Sequence, residues 1–442
     1  MGDTDRRTAP ERDLDGVEDT ASGLENPRAT TATHLGGTET ADRDFRRYLN
    51  ARVLSVTGAV ISAVALPVLV YRLTGSAGWT SAVTAAEALP YLVFGLLAGA
   101  LADRLDRRKM MVALDFTVAG VLATVPLAWL AGALTAPHVV VVAFATQTAF
   151  VFFDAANFGA LPALVGKERL TVAYSTLWGR TTVVELVVPG VTGVLVAVIA
   201  PATLLAVNAL TGVGSALLLR AITSSLANPR PVQGAGVLLA DVREGLRFLW
   251  DEPVIRTLTL VGAAHSVSSG AWVAVLVPYA DKVLGVASHG DFRLAVLFSC
   301  WGIGAIVAAR ALPRLTRRWG HARVALGALP LSLLGGVLVL LSGHWLVAAA
   351  ALVYWSAAGA TVVVNGITYR QLVCPEELQS RVNTTGRMLA WGAGQPLGAV
   401  LAGAVSVAAG DPRAGLAAGV VVLASGVALA WATPMLRRAS QR

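Results

Sequence analysis

The stretch that decides the fold is Gly99-Ala100-Leu101-Ala102-Asp103-Arg104-Leu105-Asp106-Arg107-Arg108-Lys109. A long apolar run ends at this cluster of charge, and a second apolar run begins at Met110. A chain that crosses hydrocarbon must satisfy its backbone internally, which makes each run a helix. The stretch therefore predicts a hairpin of two membrane-spanning helices joined by a short polar turn. The small residues Gly99, Ala100 and Ala102 should allow a neighbouring helix to approach closely.

Composition extends this prediction to most of the chain. The 442 residues are 55% hydrophobic and only 14% charged, whereas soluble domains average about 25% charged residues. The net charge of +8 resides mainly in arginines of short connections, so it predicts membrane topology and not a nucleic-acid partner. The two cysteines, Cys300 and Cys374, have no disulfide or metal-site spacing, and no metal site is expected.

The chain divides into four regions. Residues 1–44 are rich in Asp, Glu, Thr, Gly and Arg, and they are predicted to form a disordered acidic tail on the cytoplasmic side. Twelve apolar runs of roughly 20 residues or more follow in two groups of six, at 45–226 and 253–442. Between them, residues 227–252 form a polar linker in which apolar residues recur at helical spacing. This spacing predicts an amphipathic helix on the cytoplasmic surface.

The connections predict the orientation of the spans. Arginine and lysine follow the even-numbered spans, whereas the connections after odd-numbered spans carry few of them. By the positive-inside rule, both termini are expected in the cytoplasm of a multi-pass cell-membrane protein. The basic turn 104–108 is repeated at 314–318, which indicates two pseudo-symmetric halves. Such repeats commonly enclose a substrate path.

The opening stretch resembles the loop between the second and third helices of the major facilitator superfamily, which reads Gly-x-Leu-Ala-Asp-Arg-x-Gly-Arg-Arg/Lys. Asp106 stands where most members have glycine. Other segments are similar to the bacterial efflux branch related to siderophore and macrolide exporters. These segments are 65–67, 71–76, Asp154, 161–162, 168–170 and 243–248. The resemblance implies an all-α membrane fold of twelve transmembrane helices in two six-helix bundles.

The same resemblance implies a secondary active transporter that exports a drug-like or secondary-metabolite small molecule by rocker-switch alternating access. An importer or a lysophospholipid flippase of the same fold is an alternative, and a non-transporting sensor or scaffold is another. The sequence has no catalytic constellation and no Walker motif, so we expect no enzyme activity and no cofactor. A proton gradient is the expected energy source. The expected partners are the small-molecule substrate and the lipid bilayer, and the expected state is a monomer.

Charged residues inside apolar spans are costly, about 2.5–3.5 kcal/mol each on insertion scales, so each requires a reason. Glu185, near the middle of span five, is the first candidate for proton coupling because low dielectric disfavours its charged form. The full set of coupling candidates is Glu185, Glu87, Asp154 and His265. The hairpin of spans four and five places Asp154 and Arg180 at similar depth, and we expect them to form a buried charge network with Asp115. Structural ion pairing, or packing for His265, is the alternative interpretation for each.

The resemblance also implies a cytoplasmic gate, cavity residues and helix kinks. The gate residues are Gly99, Asp103, Arg104, Arg107 and Arg108, with Asp103 expected to face the start of span eleven at 380–383; turn capping is the simpler role. The cavity candidates, each with packing as the alternative, are Gln147, Asn157, Trp272, Tyr354, Trp355, Asn365 and Tyr369. The predicted kinks lie at Pro189, Gly193 and Pro396. Aromatic lining with few charges suits a bulky amphipathic molecule.

Overall fold

The computed structural model describes residues 27–224, 226, 243–244, 246–247, 250–251, 253–374, 386 and 388–433. Within these residues the regular secondary structure is helical. The helices of the N-terminal half are α1 Pro27–Thr74, α2 Ala77–Arg104, α3 Arg107–Leu130, α4 Ala136–Gly166, α5 Arg169–Val198 and α6 Pro201–Arg220. Those of the C-terminal half are α7 Pro253–Lys282, α8 Phe292–His321, α9 Arg323–Leu341, α10 Trp345–Val373, α11 Met388–Gly394 continued by Gln395–Ala409, and α12 Pro412–Ala432.

Eleven of these helices contain a segment that is long and apolar enough to cross a membrane. The other helix, α2, is also long enough to cross a membrane, at 28 residues. The predicted twelve-helix, all-α fold is confirmed. Two of the predicted basic turns are not conventional loops: the helical path bends at one glycine with positive φ, Gly166 at the end of α4 and Gly320 at the end of α8.

The predicted boundary of the disordered tail at residue 44 is wrong, because α1 begins at Pro27 and Asp44 is fully buried. One carboxylate oxygen of Asp44 accepts hydrogen bonds of 2.8–2.9 Å from the backbone and hydroxyl groups of Thr223 and Ser224, just after α6. Its other oxygen accepts a hydrogen bond of 3.1 Å from Arg47. Asp44 thus binds the backbone N–H groups that follow the end of α6. Such a contact between distant parts of the chain cannot be read from the composition of the first 44 residues.

Other parts of the predicted regions lie outside the described residues, including 1–26 and most of the linker. The linker residues that are described, 243–244, 246–247 and 250–251, are helical and exposed. Across this segment Arg247 pairs with Asp251 at 3.4 Å, one helical turn away. The amphipathic helix as a whole stays a prediction.

The basic turn between α2 and α3 binds its neighbours through its arginines. Asp106 caps α3 by accepting a 3.1 Å hydrogen bond from the backbone of Lys109. Arg107 is buried and donates a 3.0 Å hydrogen bond to the carbonyl of Gly159 on α4, and Arg108 donates to the carbonyl of Ile222 after α6. Cationic side chains thus satisfy carbonyls of the surrounding helices, which holds the N-terminal half together at this end.

Close packing was expected at the small residues near the end of α2. Ala102 is buried in the core of the N-terminal half, whereas no described atom lies within 4 Å of a Cβ built on Gly99. Nearer the start of α2, a Cβ on Gly403 of α11 would lie 2.4 Å from the Cβ of Ser81, and one on Gly392 would lie 3.0 Å from the backbone of Leu92. Helices α2 and α11 therefore touch there, and the start of span eleven at 380–383 lies outside the described residues.

The two halves of the molecule meet at one end, which we call the sealed end; the end that carries Arg107 and Arg317 is the basic end. At the sealed end the Tyr71 hydroxyl donates a 2.6 Å hydrogen bond to Asp281. Arg72 donates to the carbonyls of Val196, at 2.7 Å, and Ser288. These contacts link α1 and α5 of one half to α7 and the α7–α8 loop of the other.

Contacts between the halves continue from the sealed end along α5 and α8. Helix α5 packs on α8 through Gly193, where a Cβ would lie 2.5 Å from the Cα of Ala295, and further along through Leu186, which lies against Gly302. The described contacts between α5 and α8 therefore lie between Leu186 and the sealed end.

Candidate functional site

A cavity of about 260 Å³ lies among the helices, and the N-terminal half supplies most of its wall. Helices α1, α2, α3, α4 and α6 all contribute to it, whereas the C-terminal half supplies Gly270, Val273 and Gln395. Its polar lining consists of Ser55, Ser62, Thr84, Glu87, Tyr91, Asp115, Thr146, Gln147, Asn208, Thr211 and Gln395. The cavity is therefore a polar site inside one bundle, and the two halves do not share it equally.

Two carboxylates face this cavity. Glu87 on α2 is half-buried and makes no hydrogen bond or ion pair with any residue that the structure describes. Asp115 on α3 is only 5% exposed, and its Oδ2 is buried without a hydrogen-bond partner among the described residues. Buried carboxylates are usually paired, but Asp115 has only the Ser215 side chain close enough to bond with it, and Glu87 has no described partner. The two acids therefore indicate a place for a ligand or a proton.

An ion pair borders the cavity on the side toward the basic end. The Nη2 of Arg52 on α1 lies 3.1 Å from Asp154 Oδ1 on α4, and the Tyr91 hydroxyl donates a 3.1 Å hydrogen bond to Asp154 Oδ2. The Arg52 guanidinium also lies 5.8 Å from the ring centre of Phe150 and 5.5 Å from that of Phe153. Because Tyr91 and both phenylalanines line the cavity, this pair forms part of its boundary.

The predicted pairing of Asp154 with Arg180 is wrong. Arg180 is exposed on α5, and Asp154 pairs with Arg52 instead. Residue spacing fixes the depth of a side chain along a hairpin, but the rotation of each helix decides which neighbour it faces. Asp115, which was expected in the same network, lies near Arg52 in the cavity wall without a bond to it.

The remaining coupling candidates lie outside the cavity lining. Glu185 is exposed on α5, beside the α8 contact formed by Leu186 and Gly302, and it is close enough to Arg52 for their charges to interact. His265 on α7 is 6% exposed, and its Nδ1 has no described hydrogen-bond partner. Its ring centre lies 6.3 Å from that of Trp355. His265 is thus placed in an aromatic core.

Of the predicted cavity residues, Gln147 lines the cavity and most others pack elsewhere. Trp272 and Trp355 are buried in a cluster of rings at centroid distances of 5.8–6.3 Å. We call this group the aromatic cluster: His265, Trp272, Tyr279, Trp301 and Trp355.

The two asparagines in the predicted set have structural partners. Asn157 accepts a hydrogen bond from the Tyr48 hydroxyl, and Asn365 lies 2.6 Å from the ring nitrogen of His321. Tyr354 is half-buried beside Gly335. The side chain of Tyr369 lies outside the described residues, as do those of Asp103 and 380–383 that were predicted to form the gate; Arg104 is exposed.

The sequence reasoning missed Arg52 and Asn208 as members of the site. The Asn208 amide donates a 2.6 Å hydrogen bond to the Ser62 hydroxyl across the cavity wall. A signal for Arg52 was present, because Arg52, Ser55, Ala59 and Ser62 recur on one face at helical spacing. Small and polar residues on one face of a spanning helix indicate a water- or ligand-filled space.

The three residues predicted to kink helices lie at two places: Pro189 and Gly193 lie where α5 packs closely on α8, and Pro396 lies where α11 changes from a π-helix to an α-helix. Pro189 lies inside α5 near Gly193, where α5 and α8 approach closely. Pro396 directly follows the π-helical turn Met388–Gly394, which the sequence analysis did not predict. Because proline has no N–H, a helix cannot form the usual bond to the carbonyl four residues earlier, and the wider turn precedes it.

Comparison with known proteins agrees with this architecture. The family model described as transmembrane secretion effector, within the major facilitator superfamily, matches residues 40–440. The chain belongs to this family. The multidrug efflux pump Tap of Mycolicibacterium fortuitum is 29% identical over 400 residues, which are 86% of this chain and 93% of the pump. The transmembrane secretion effector family thus accounts for almost all of the described structure.

Solved structures share the fold at low sequence identity. A bacterial homologue of the human lysosomal transporter Spinster, inward-facing and unoccupied, has a TM-score of 0.70 at 15% identity and covers 87% of this chain and 96% of its own. A bacterial homologue of the iron transporter ferroportin in an inward-facing state also has a TM-score of 0.70, at 15% identity, covering 90% of this chain and 99% of its own. A bacterial homologue of the iron transporter ferroportin in an outward-facing state has a TM-score of 0.57 at 14% identity, and it covers 87% of this chain and 98% of its own.

Proposed function

We propose that this transmembrane secretion effector family member exports small molecules across the cell membrane by alternating access, with a proton gradient as the energy source. The observation that carries the proposal is a polar cavity in the spanning region that contains carboxylates without a described cationic partner in contact. A lipid-embedded scaffold would have no reason to retain such groups, because unpaired charge in hydrocarbon is costly. The naming of a 29% identical relative as a multidrug efflux pump supports export as the direction.

The conformation supports alternating access. The described hydrogen bonds between the halves lie at the sealed end, as expected for a state that is closed there and open at the basic end. If the basic connections are cytoplasmic, as the positive-inside rule predicts, this is an inward-open state with both termini in the cytoplasm. The higher similarity to the inward-facing than to the outward-facing ferroportin homologue supports that assignment.

The orientation can be tested by labelling single cysteines. Cys300 and Cys374 are replaced by serine, and one cysteine is introduced as Lys109→Cys at the basic end or Gly343→Cys at the sealed end. A membrane-impermeant maleimide should label intact cells through Gly343→Cys only. Labelling of both positions, or of Lys109→Cys alone, would contradict the proposed orientation.

Proton coupling is assigned first to Glu87 and Glu185. Glu87 faces the cavity, and Glu185 lies close to Arg52, so a proton on either can alter the charge of the transport path. Asp154 is already neutralised by Arg52, and His265 is buried beside Trp355. These placements favour the two glutamates. Glu87 lies on α2 and Glu185 on α5, and both helices contact the other half of the protein.

Efflux measured in cells without their own drug pumps tests the function and the coupling together. Cells are loaded with a panel of fluorescent cationic, neutral and anionic dyes, and efflux is followed with and without a protonophore. We expect at least one dye to leave faster when the chain is present, and the protonophore to abolish the difference. Uptake in place of efflux would favour an importer, and movement of lysophospholipid alone would favour a flippase.

Charge-neutralising variants then separate coupling from transport. Glu87→Gln and Glu185→Gln should each remove proton-driven efflux while passive exchange of the dye continues. Asp411→Asn is the matched control, because Asp411 caps α12 at the sealed end, far from the cavity, and asparagine can keep that cap. Proton-driven efflux that is unchanged in Glu185→Gln would remove this residue from the coupling mechanism.

A further inference from the structure

The charges around the cavity differ in how they are neutralised, and this difference indicates which ligands can bind. Its two carboxylates, Glu87 and Asp115, have no described cationic partner in contact. Arg52 is the cation that borders the cavity among the described residues, and its hydrogen-bonded partner is Asp154. The charge-bearing side chains of the lining itself are therefore acids, Glu87 and Asp115.

Burial makes Asp115 a specific feature and not merely one more acidic residue. Its side chain is about 95% buried, and its Oδ2 has no hydrogen-bond partner in the part of the chain that the structure describes. Apart from the Ser215 side chain and the more distant charge of Arg52, no described group interacts with this carboxylate, and a charge this deeply buried is costly without a partner. Glu87 lies on the neighbouring helix α2 and lines the same cavity.

Aromatic rings complete a cation-binding environment. Tyr91, Phe150 and Phe153 all line the cavity. Phe150 and Phe153 already bind one cation, the guanidinium of Arg52, which lies 5.5–5.8 Å from their ring centres. Ring faces attract positive charge, most strongly where water is excluded.

Resting on the proposed function, we propose that the cavity binds substrates that carry a positively charged nitrogen on an aromatic frame, with Asp115 and Glu87 as the anionic contacts. We further propose that Asp154 is a positioning residue, which keeps Arg52 from neutralising Asp115. Arg52 is close enough to Asp115 for their charges to interact, yet its hydrogen-bonded partner is Asp154. If Asp154 lost its charge, the Arg52 guanidinium could pair with Asp115 and would compete with the cationic ligand for that carboxylate.

Binding to the purified full-length protein in detergent tests this proposal without requiring transport. The probe is tritiated N-methyl-4-phenylpyridinium, and 4-phenylbenzoate, which has a similar biaryl frame and the opposite charge, is the matched competitor. We expect saturable binding of the cation and no competition by the anion. Glu87→Gln and Asp115→Asn should each weaken binding at least about tenfold, as expected when one partner of a desolvated charge pair is removed, while Asp411→Asn should leave it unchanged.

The positioning role of Asp154 is tested by a double-variant cycle. Asp154→Asn, which does not alter the cavity lining, should weaken binding of the cation, and adding Arg52→Gln should restore it. A purely structural role for the ion pair predicts the opposite, because the double variant would bind no better than Asp154→Asn. Each variant is checked for folding by size-exclusion chromatography in detergent, where it should elute at the same volume as the unmodified protein.

The outcomes separate the failure of this inference from the failure of the proposed function. If the dye panel shows efflux of neutral or anionic dyes only, and the purified protein does not bind the pyridinium, the export function stands and the cation assignment is overturned. If the protein binds the pyridinium through Asp115 but no dye is exported, the cation site stands and the export function fails. Equal competition by 4-phenylbenzoate would overturn the cation assignment in either case.

Discussion

The two halves of this transporter have the same helical architecture but fill their interiors differently. In the N-terminal half, small and polar residues on α1, such as Ser55, Ala59 and Ser62, leave a cavity beside Asp115. In the C-terminal half, α7 carries His265 and Trp272, whose rings join the aromatic cluster, and the cavity between α7, α9 and α10 is smaller, at about 70 Å³. A pseudo-symmetric backbone therefore does not imply a symmetric site, because side-chain volume decides which half has room for a ligand.

The largest effect that would sharpen this comparison is expected from Trp355→Ala. Trp355 is 2% exposed and contacts three other rings of the aromatic cluster, so its truncation should destabilise the protein by about 3–5 kcal/mol. Gln147→Ala, in the cavity wall of the other half, should cost less than about 1 kcal/mol because it leaves no new void. Thermal unfolding of both detergent-solubilised variants measures the difference, and equal destabilisation would show that the two interiors are packed alike.

A smaller effect, on conformation instead of stability, is expected from Gly193→Ala. The added methyl group would lie 2.5 Å from the backbone of Ala295 and force the halves apart at the sealed end. Overpacking of this kind costs about 1–3 kcal/mol, and about 1.4 kcal/mol changes a two-state ratio tenfold. The distance between spin labels at Ala133 and Gly343 should shift toward a longer population. Gly120→Ala is the control, since nothing lies within 4 Å of a Cβ there.

The smallest effect compares one hydrogen bond between the halves with one inside a half. Tyr71→Phe removes the 2.6 Å bond to Asp281 and should shift the same spin-label populations several-fold, because such a bond contributes about 0.5–1.5 kcal/mol. Tyr279→Phe removes a 2.6 Å bond to the carbonyl of Val339 within the C-terminal half. It should lower the unfolding temperature without shifting the populations. A shift in both variants would mean that the bond at the sealed end has no special role.

Much of the fold could be predicted from the sequence, because lipid imposes simple rules on it. Runs of about 20 apolar residues and arginine-rich turns such as 104–109 predict spans and turns directly. The site was harder to predict. Glu87, Asp115 and Gln147 were singled out from the sequence and line the cavity, but Asp154 was assigned a partner other than Arg52, and Arg52 was not assigned to the site. A charge in a span is visible in the sequence, whereas the neighbour that it faces depends on helix rotation.

The sequence by itself determined that this protein is a bundle of helices in a membrane, since composition and the periodic alternation of apolar runs with basic turns admit no soluble core. Only the tertiary structure decided that the cavity belongs to the N-terminal half, that Arg52 pairs with Asp154, and that the halves are closed at one end. These features depend on contacts between residues about 100–200 positions apart, such as Arg52 with Asp154 and Tyr71 with Asp281. Local propensity fixes each helix, but packing between helices fixes what each side chain meets.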